Sequence, residues 1–251
     1  ILRCLVGSEM CIRDSIPNSI FFDLDENSEK DTDLPHMLPK QEAWGKIMSS
    51  LGINNNDDIL IYDNSDLKSS CRLWFSLLYF GHDEKKIHIL NGGLKKWIFE
   101  NKPITKLTTE IIKSNYVTNE KKNLVVSFDQ IKKNILSKSF NVIDARSLER
   151  FEGKVSEPRK GLRSGHIQNS FCLPFNQCIN QKTGEFKNLE ELRELFNQNE
   201  NIEKRLDPVF TCGSGVTAAV LAYAYKMVNN DYIPKIYDCL LYTSPSPRDI
   251  G

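Results

Sequence analysis

Asp207-Pro-Val-Phe-Thr-Cys-Gly-Ser-Gly-Val-Thr-Ala-Ala-Val220 joins a short apolar run to an alanine-rich segment through a loop with two glycines. The run Asp207–Thr211 predicts a β-strand and Val216–Val228 predicts a helix. Cys212 then lies where the strand ends, and successive backbone N–H groups before the helix converge on its sulfur. Because a helix N-terminus and a nest of amides stabilise an anion, they lower the cysteine pKa from its usual value of about 8.5. The pattern predicts a catalytic thiolate; the alternative is a buried structural cysteine before a helix.

Outward from this loop, short β-branched runs alternate with longer apolar segments. This alternation predicts an α/β fold with mainly parallel sheets flanked by helices, and functional loops at the carboxyl ends of the strands. Further strands are predicted at Asp58–Tyr62, Lys86–Leu90 and Asn141–Asp144, and further helices at Cys71–Phe80 and Leu189–Asn199.

The chain also repeats itself, which predicts two similar domains. Ile16-Pro-Asn-Ser19 matches Ile167-Gln-Asn-Ser170, and Ile89 matches Ile236. We expect an N-terminal domain over residues 16–112, a C-terminal domain over 123–238, and a polar connection over about 102–122. The repeat further implies that the first domain lacks its first strand and that the second lacks its C-terminal end.

Both ends of the chain look foreign to the protein between them. Leu240–Ser244 and Glu9–Arg13 can be encoded by opposite strands of one short DNA, which resembles a transposase-type sequencing adaptor. We therefore interpret residues 4–15 and 239–251 as adaptor-derived; the alternative is a real signal or tail.

Charge and composition exclude several classes of function. Lys and Arg number 33 and so do Asp and Glu, so no global field favours nucleic acid or an anionic membrane surface. No apolar stretch reaches the length of a membrane helix. Seven cysteines without framework spacing indicate free thiols in a reducing compartment, with the cytoplasm as the default location.

Cys212-Gly-Ser-Gly-Val-Thr-Ala218 resembles the active-site signature of the mercaptopyruvate sulfurtransferases of the rhodanese superfamily. The resemblance extends over residues 16–238 and implies two tandem rhodanese-like domains. The shorter motifs that share it are Phe21–Asp25, His36–Pro39, Asn91–Leu94, Glu157–Arg159 and Ser164–Ile167.

The loop composition indicates the substrate. Thiosulfate-using relatives typically carry basic residues directly after the cysteine, whereas this chain has Gly213 and Ser214. The resemblance therefore implies sulfur transfer from 3-mercaptopyruvate through a Cys212 persulfide, with release of pyruvate. A related phosphatase needs a longer loop with an Arg near its end, and Ala218 argues against that chemistry.

Two arginines are candidates for binding the substrate carboxylate. Arg150 and Arg159 match the two substrate-binding arginines of the family motif, and a guanidinium binds a carboxylate through a planar two-pronged contact. The alternative is a pair of surface arginines on a polar loop. The backbone groups of Gly213, Gly215, Val216 and Thr217 are expected to hold the transferred sulfur.

The resemblance also implies a Ser214–His36–Asp25 relay, in which a neutral His held by a carboxylate takes a hydroxyl proton. The alternative for His36 is a structural hydrogen bond.

The remaining candidate groups are interpreted as structural. Asp63 stands at the nucleophile position of the first domain, which is expected to be non-catalytic. Zinc is not expected, because Cys172 and Cys178 lack metal-ligand spacing with a His partner, and the expected sulfur transfer needs no metal or organic cofactor. Core or structural roles are predicted for Cys71, Trp44, Trp74, Trp97, His82 and His166.

The expected sulfur acceptor is a thiol, either a thioredoxin-like protein or a low-molecular-weight thiol, or cyanide. Two alternatives stay open: a thiosulfate sulfurtransferase with the same nucleophile, and a catalytically silent rhodanese module that binds a partner or relays sulfur.

Overall fold

The computed structural model describes residues 15–32, 34–66, 68–157, 164–198 and 205–238, together with the backbone of 2–6. The chain divides into two compact units. The first comprises the chain up to Lys122 together with Gln181–Phe186, and the second comprises the remainder from Asn123. Within the described part of the chain, no helix is long and apolar enough to cross a bilayer.

The first unit is built on a four-stranded parallel sheet. Its strand order is β2-β1-β3-β4. The strands are β1 (Leu2–Val6), β2 (Ser19–Phe21), β3 (Asp58–Tyr62) and β4 (Ile87–Ile89). The helices of this unit are α1 (Gln41–Ser50), α2 (Lys68–Tyr79) and α3 (Gly93–Phe99).

The position of β1 differs from the expectation that the first strand is absent. The backbone of Leu2–Val6 lies between β2 and β3 and pairs with β3 from Leu2 opposite Asp58 to Val6 opposite Tyr62. The physical reason for a strand at this place is that β2 and β3 are not neighbours in the sheet and do not pair with each other. Without a strand between them, each would leave a row of buried donors and acceptors unpaired. The DNA origin of residues 4–15 stays a prediction.

The second unit repeats this topology, with parallel strand order β6-β5-β7-β8. The strands are β5 (Asn141–Asp144), β6 (Ser170–Cys172), β7 (Pro208–Thr211) and β8 (Ile236–Tyr237). The helices are α4 (Phe128–Ser137), α5 (Leu148–Phe151), α6 (Leu189–Asn197) and α7 (Val216–Val228). The predicted α/β class with parallel sheets is confirmed.

The internal repeat reappears as one turn used twice. Asn18 and Asn169 both have left-handed backbone, with φ of 65° and 62°. After each, a serine hydroxyl donates to the carbonyl three residues earlier, from Ser19 to Ile16 and from Ser170 to Ile167. Asparagine tolerates this conformation better than most residues. The matching sequences therefore encode the same turn before β2 and before β6.

The polar stretch at 102–122 lies along the first unit. Asn119 donates its backbone N–H to the carbonyl of Phe80 (3.0 Å), and Ser114 donates to the carbonyl of Ser49 (3.0 Å). Tyr116 is 4% exposed. The composition of the stretch suggested a connection, but its backbone groups are bonded to helices α1 and α2 and their flanks.

Gln181–Phe186 belongs to the first unit although its neighbours in sequence belong to the second. The Phe186 N–H donates to Asn91 Oδ1 at 2.8 Å, and the Lys96 ammonium pairs with the Glu185 carboxylate. This pairing holds the pKa of Lys96 above its ordinary value. Nothing in the local sequence indicates these contacts.

A buried histidine makes the stability of the first unit depend on pH. His82 is fully buried between the Tyr116 hydroxyl (3.1 Å) and the carbonyl of Asp57 (3.0 Å), and burial lowers its pKa. The nearest charged groups, Asp57, Asp83 and Lys86, do not reverse this shift. Below pH 6.5 the unfolded chain binds a proton at this residue that the folded chain excludes. Unfolding free energy should therefore fall by up to about 1.4 kcal/mol per pH unit as the pH drops from about 6.5.

Chemical denaturation between pH 7.5 and 5.5 measures this slope. His82→Gln should flatten it, whereas His88→Gln, at a side chain that is 49% exposed, should leave it as it is. An equal slope in His82→Gln and the parent chain would contradict the assignment.

Candidate active site

Cys212 lies directly after β7, all four residues of which are buried. It is 4% exposed, and the 13-residue helix α7 begins four residues later, at Val216. Both loop glycines are described, and of the two only Gly215 has left-handed backbone, with φ of 72°. The tight turn therefore depends on Gly215. The predicted strand–cysteine–loop–helix arrangement is confirmed.

The loop directs a backbone donor at the sulfur. The N–H of Ser214 donates to Cys212 Sγ at 3.4 Å. Together with the N-terminus of α7, this donor favours negative charge on sulfur, either as a thiolate or as the terminal sulfur of a persulfide. Val216 and Thr217 form the first residues of α7, so their N–H groups belong to that same helix end.

The other described cysteines have different surroundings. Cys71 is fully buried in α2. Burial raises the pKa of Cys178 to about 12, and burial together with the nearby Asp144 raises that of Cys172 to about 11. Both therefore carry very little thiolate near neutral pH. Among the described residues, no group of three His, Cys, Asp or Glu side chains could hold a metal ion.

A buried ion network lies beside the nucleophile loop. The Ala145 N–H donates to the carbonyl of Thr211 at 2.8 Å, so the loop after β5 runs next to Cys212. Arg146, which is 2% exposed, donates to both carboxylate oxygens of Asp144 at 2.6–3.0 Å and to Glu157 Oε1 at 2.8 Å. Its Nη2 also donates to the carbonyl of Gly165 (2.8 Å).

No role was predicted for Arg146 from the sequence. The available signal was the pattern Asp-x-Arg that begins at the last residue of the buried strand β5, where a buried cation needs buried anions.

Arg150 is held by the same network. It lies on α5 with 28% of its side chain exposed, and it donates to Glu157 Oε2 at 2.5 Å and to Oε1 at 3.3 Å. Both bonds use the Nε–Nη2 edge of the guanidinium. Within the described part of the chain, Nη1 has no acceptor. Glu157 therefore orients Arg150 and leaves one edge for a ligand. Arg159 lies outside the described residues.

The first unit holds the other pair of predicted site residues. His36 Nε2 lies 2.5 Å from Asp25 Oδ1, so these two side chains are brought together as predicted. The Asp25 side chain is 68% exposed and that of His36 is 21% exposed. Ser214 belongs to the second unit, and its place in a relay stays a prediction.

Asp63 follows β3 as Cys212 follows β7. It is buried, and its carboxylate accepts the backbone N–H of Ser65 (3.1 Å) and both the N–H (2.6 Å) and hydroxyl (2.9 Å) of Ser70. In the first unit, the place that corresponds to Cys212 is therefore occupied by a carboxylate that caps the start of α2.

The remaining structural interpretations agree with these surroundings. Trp44 and Trp74 are core residues, Trp97 packs at the edge of the core, and the His166 ring stacks on Phe151 with 3.9 Å between ring centroids.

Comparisons with known proteins agree with this arrangement. The rhodanese-like domain family matches residues 12–100. The mitochondrial thiosulfate/3-mercaptopyruvate sulfurtransferase 1 of Arabidopsis thaliana is 36% identical over 244 residues, covering 89% of this chain. The chain spans 63% of the length of that relative, which is less than two thirds.

Human 3-mercaptopyruvate sulfurtransferase is 34% identical over 225 residues, covering 89% of this chain and 74% of the human protein. The crystal structure of SseA from Escherichia coli, described as a 3-mercaptopyruvate sulfotransferase, matches with a TM-score of 0.84. Its identity is 28%, with 95% of this chain and 92% of SseA covered. The chain belongs to the family of 3-mercaptopyruvate and thiosulfate sulfurtransferases, which is built on the rhodanese fold.

Proposed function

We propose that this chain transfers sulfur from 3-mercaptopyruvate to a thiol or cyanide through a persulfide on Cys212. The observation that carries the proposal is the Ser214 amide, which is directed at a buried sulfur where a strand meets the N-terminus of a helix. The relatives named above support the same activity.

The reaction has two balanced steps. The Cys212 thiolate attacks the sulfur of 3-mercaptopyruvate, an S–S bond forms, and the C–S bond breaks. The electron pair of that bond leaves with pyruvate as its enolate, which takes up a proton. The outer persulfide sulfur is then attacked by an acceptor thiolate, which takes the sulfur and returns Cys212 as thiolate.

The charges near the site support a monoanionic carboxylate as substrate. The residues from Gly213 to Thr217 include no basic side chain, so the loop offers no cation to a compact dianion such as thiosulfate. The positively charged candidate is Arg150, on the helix α5 that follows the loop beside Cys212, with its Nη1 edge unoccupied by described residues. A guanidinium suits a planar carboxylate.

Two product assays test the proposal. Pyruvate release from 3-mercaptopyruvate is compared with sulfite release from thiosulfate at equal concentrations of cyanide. We expect a higher kcat/KM for 3-mercaptopyruvate. Faster turnover of thiosulfate would favour thiosulfate as the substrate. The name of the Arabidopsis relative, which includes both thiosulfate and 3-mercaptopyruvate, is the observation that favours this alternative. No turnover of either substrate by the folded chain would favour a silent binding module.

Replacement of Arg150 tests the carboxylate site. Arg150→Ala should raise KM for 3-mercaptopyruvate about tenfold to a hundredfold, because a hydrogen bond to a charged group contributes roughly 1.5–3 kcal/mol. The KM for thiosulfate, which has no carboxylate, should change less. Steady-state kinetics with both donors measure the difference.

Arg193→Ala, an exposed position on α6, is the matched control and should leave both KM values unchanged. A KM for 3-mercaptopyruvate that is the same in Arg150→Ala and Arg193→Ala would contradict the assignment.

We further propose that Asp25 and His36 act with Ser214 on the proton balance of the departing enolate, and that Arg159 shares the carboxylate with Arg150. The acceptor as a thioredoxin-like protein or small thiol, and the cytoplasm as location, also stay predictions. The Arabidopsis relative is mitochondrial by name.

A further inference from the structure

Arg72 is a cation buried in the first unit. It lies on α2 and is 1% exposed, with its Cζ 5.9 Å from the centre of the Phe75 ring. Its Nη2 donates to the main-chain carbonyl of His36 at 2.5 Å. Burying a guanidinium is costly unless its donors are used. One of those donors is used to hold the backbone of a proposed site residue.

The backbone of His36 needs such support. Its φ is +58°, a left-handed conformation that residues other than glycine adopt at a cost. The next carbonyl, that of Met37, accepts the N–H of Glu29 at 3.0 Å. Two successive peptide carbonyls are therefore held from outside the turn, one by Arg72 and one by a backbone donor.

The direction of the imidazole follows from this backbone. In the left-handed conformation the carbonyl and the Cα–Cβ bond have a fixed mutual orientation. A contact that holds the carbonyl therefore also fixes the direction in which the side chain leaves the backbone. Asp25, the partner of Nε2, has 68% of its side chain exposed. Exposed pairs of this kind contribute little, because solvent screens them and both side chains lose rotamer freedom. The contact of Arg72 with the His36 carbonyl therefore contributes to placing the ring, together with Asp25.

We propose that Arg72 is a positioning residue for His36: it fixes the left-handed turn so that the imidazole faces Asp25 and can move a proton during sulfur transfer. This inference rests on the proposed function, in which His36 takes part in that step. Helix α2 follows Asp63 as α7 follows Cys212. In the second unit, helix α7 begins beside the nucleophile. In the first unit, the corresponding helix α2 carries Arg72, which orients the proton carrier His36.

Kinetics of single and double variants test the proposal. Arg72→Met should lower kcat for 3-mercaptopyruvate by about tenfold or more, as His36→Gln should, because general acid–base catalysis contributes about a hundredfold or more. KM should change little in either variant. The double variant should lose no more than His36→Gln alone. Arg72→Lys keeps a cation that can donate to one carbonyl and should recover part of the loss.

Three readouts separate positioning from general loss of structure. The ¹⁵N shifts of the His36 ring report its bond to Asp25 and should change in Arg72→Met. The rate of Cys212 carbamidomethylation and the melting curve of the second unit should stay as they are. Ser76→Ala is the matched control, since Ser76 is a buried α2 residue that donates to the Arg72 carbonyl at 3.0 Å; it should keep its kcat.

The outcomes are distinguishable. If His36→Gln itself keeps full kcat, the relay in the proposed function is wrong and the role of Arg72 falls with it. If His36→Gln loses activity while Arg72→Met does not, or if their losses multiply, the inference about Arg72 alone is overturned. Should Arg72→Met fail to fold, a double-mutant cycle of Arg72→Lys with Asp25→Asn replaces it. If the kcat losses of the two single variants multiply in the double variant, the proposal is overturned. If the double variant loses less than their product, the proposal is supported.

Discussion

Cys212→Ser should lower kcat/KM for 3-mercaptopyruvate by at least about a thousandfold, since removal of a nucleophile leaves only binding and electrostatic contributions. A hydroxyl oxygen cannot take up sulfur as a persulfide and is scarcely ionised at neutral pH. The Ser214 amide and the N-terminus of α7 stabilise an anion on the side chain at position 212. A serine at this position provides almost no anion for them to stabilise. The measurement is the initial rate of pyruvate release with cyanide as acceptor.

A second readout locates the sulfur. In the parent chain, incubation with 3-mercaptopyruvate in the absence of an acceptor should add the mass of one sulfur atom to the peptide that contains Cys212. The matched control is Cys172→Ser, because the pKa of the half-buried Cys172 is raised to about 11 and its thiol is not expected to react. Retained turnover in Cys212→Ser, or sulfur on the Cys172 peptide, would contradict the assignment of the nucleophile.

The sequence was most informative where the signal is local. Strands β3 and β5 and helix α7 have the predicted bounds, because each combines a continuous apolar run with clear glycine or polar boundaries. Helix α2 begins three residues before the predicted Cys71. Its first turn contains two serines that do not look helical by composition. The Asp63 carboxylate, which accepts the N–H and hydroxyl of Ser70, stabilises that turn.

Contacts between distant residues were not predictable in the same way. Arg150 was proposed from its motif as a carboxylate-binding residue, but its bond to Glu157 depends on how residues 151–157 return to the network. The packing of Gln181–Phe186 on the first unit depends on Asn91 and Lys96, about 90 residues away in sequence. No periodicity or turn signal encodes such a pairing. A family resemblance can indicate which residues are candidates for function. The hydrogen-bond and ion-pair partners that hold those residues are seen only in the folded structure.

Arg146→Met should produce the largest loss of stability among the substitutions considered. The guanidinium of Arg146 lies between two buried carboxylates, with Asp144 and Glu157 both less than 10% exposed. Removing it leaves Asp144 without its cation and Glu157 with Arg150 alone. Breaking a buried ion pair from one side costs about 3–5 kcal/mol, because a charge stays buried without compensation. For a unit of this size the melting temperature should fall by about 10 °C or more.

Calorimetry or chemical denaturation of the intact chain measures this loss. Arg193→Met is the matched control, because an exposed arginine on α6 should change the unfolding free energy by no more than about 0.5 kcal/mol. A loss below about 1 kcal/mol would show that the network does not hold the segment from β5 to α5 that carries Arg150.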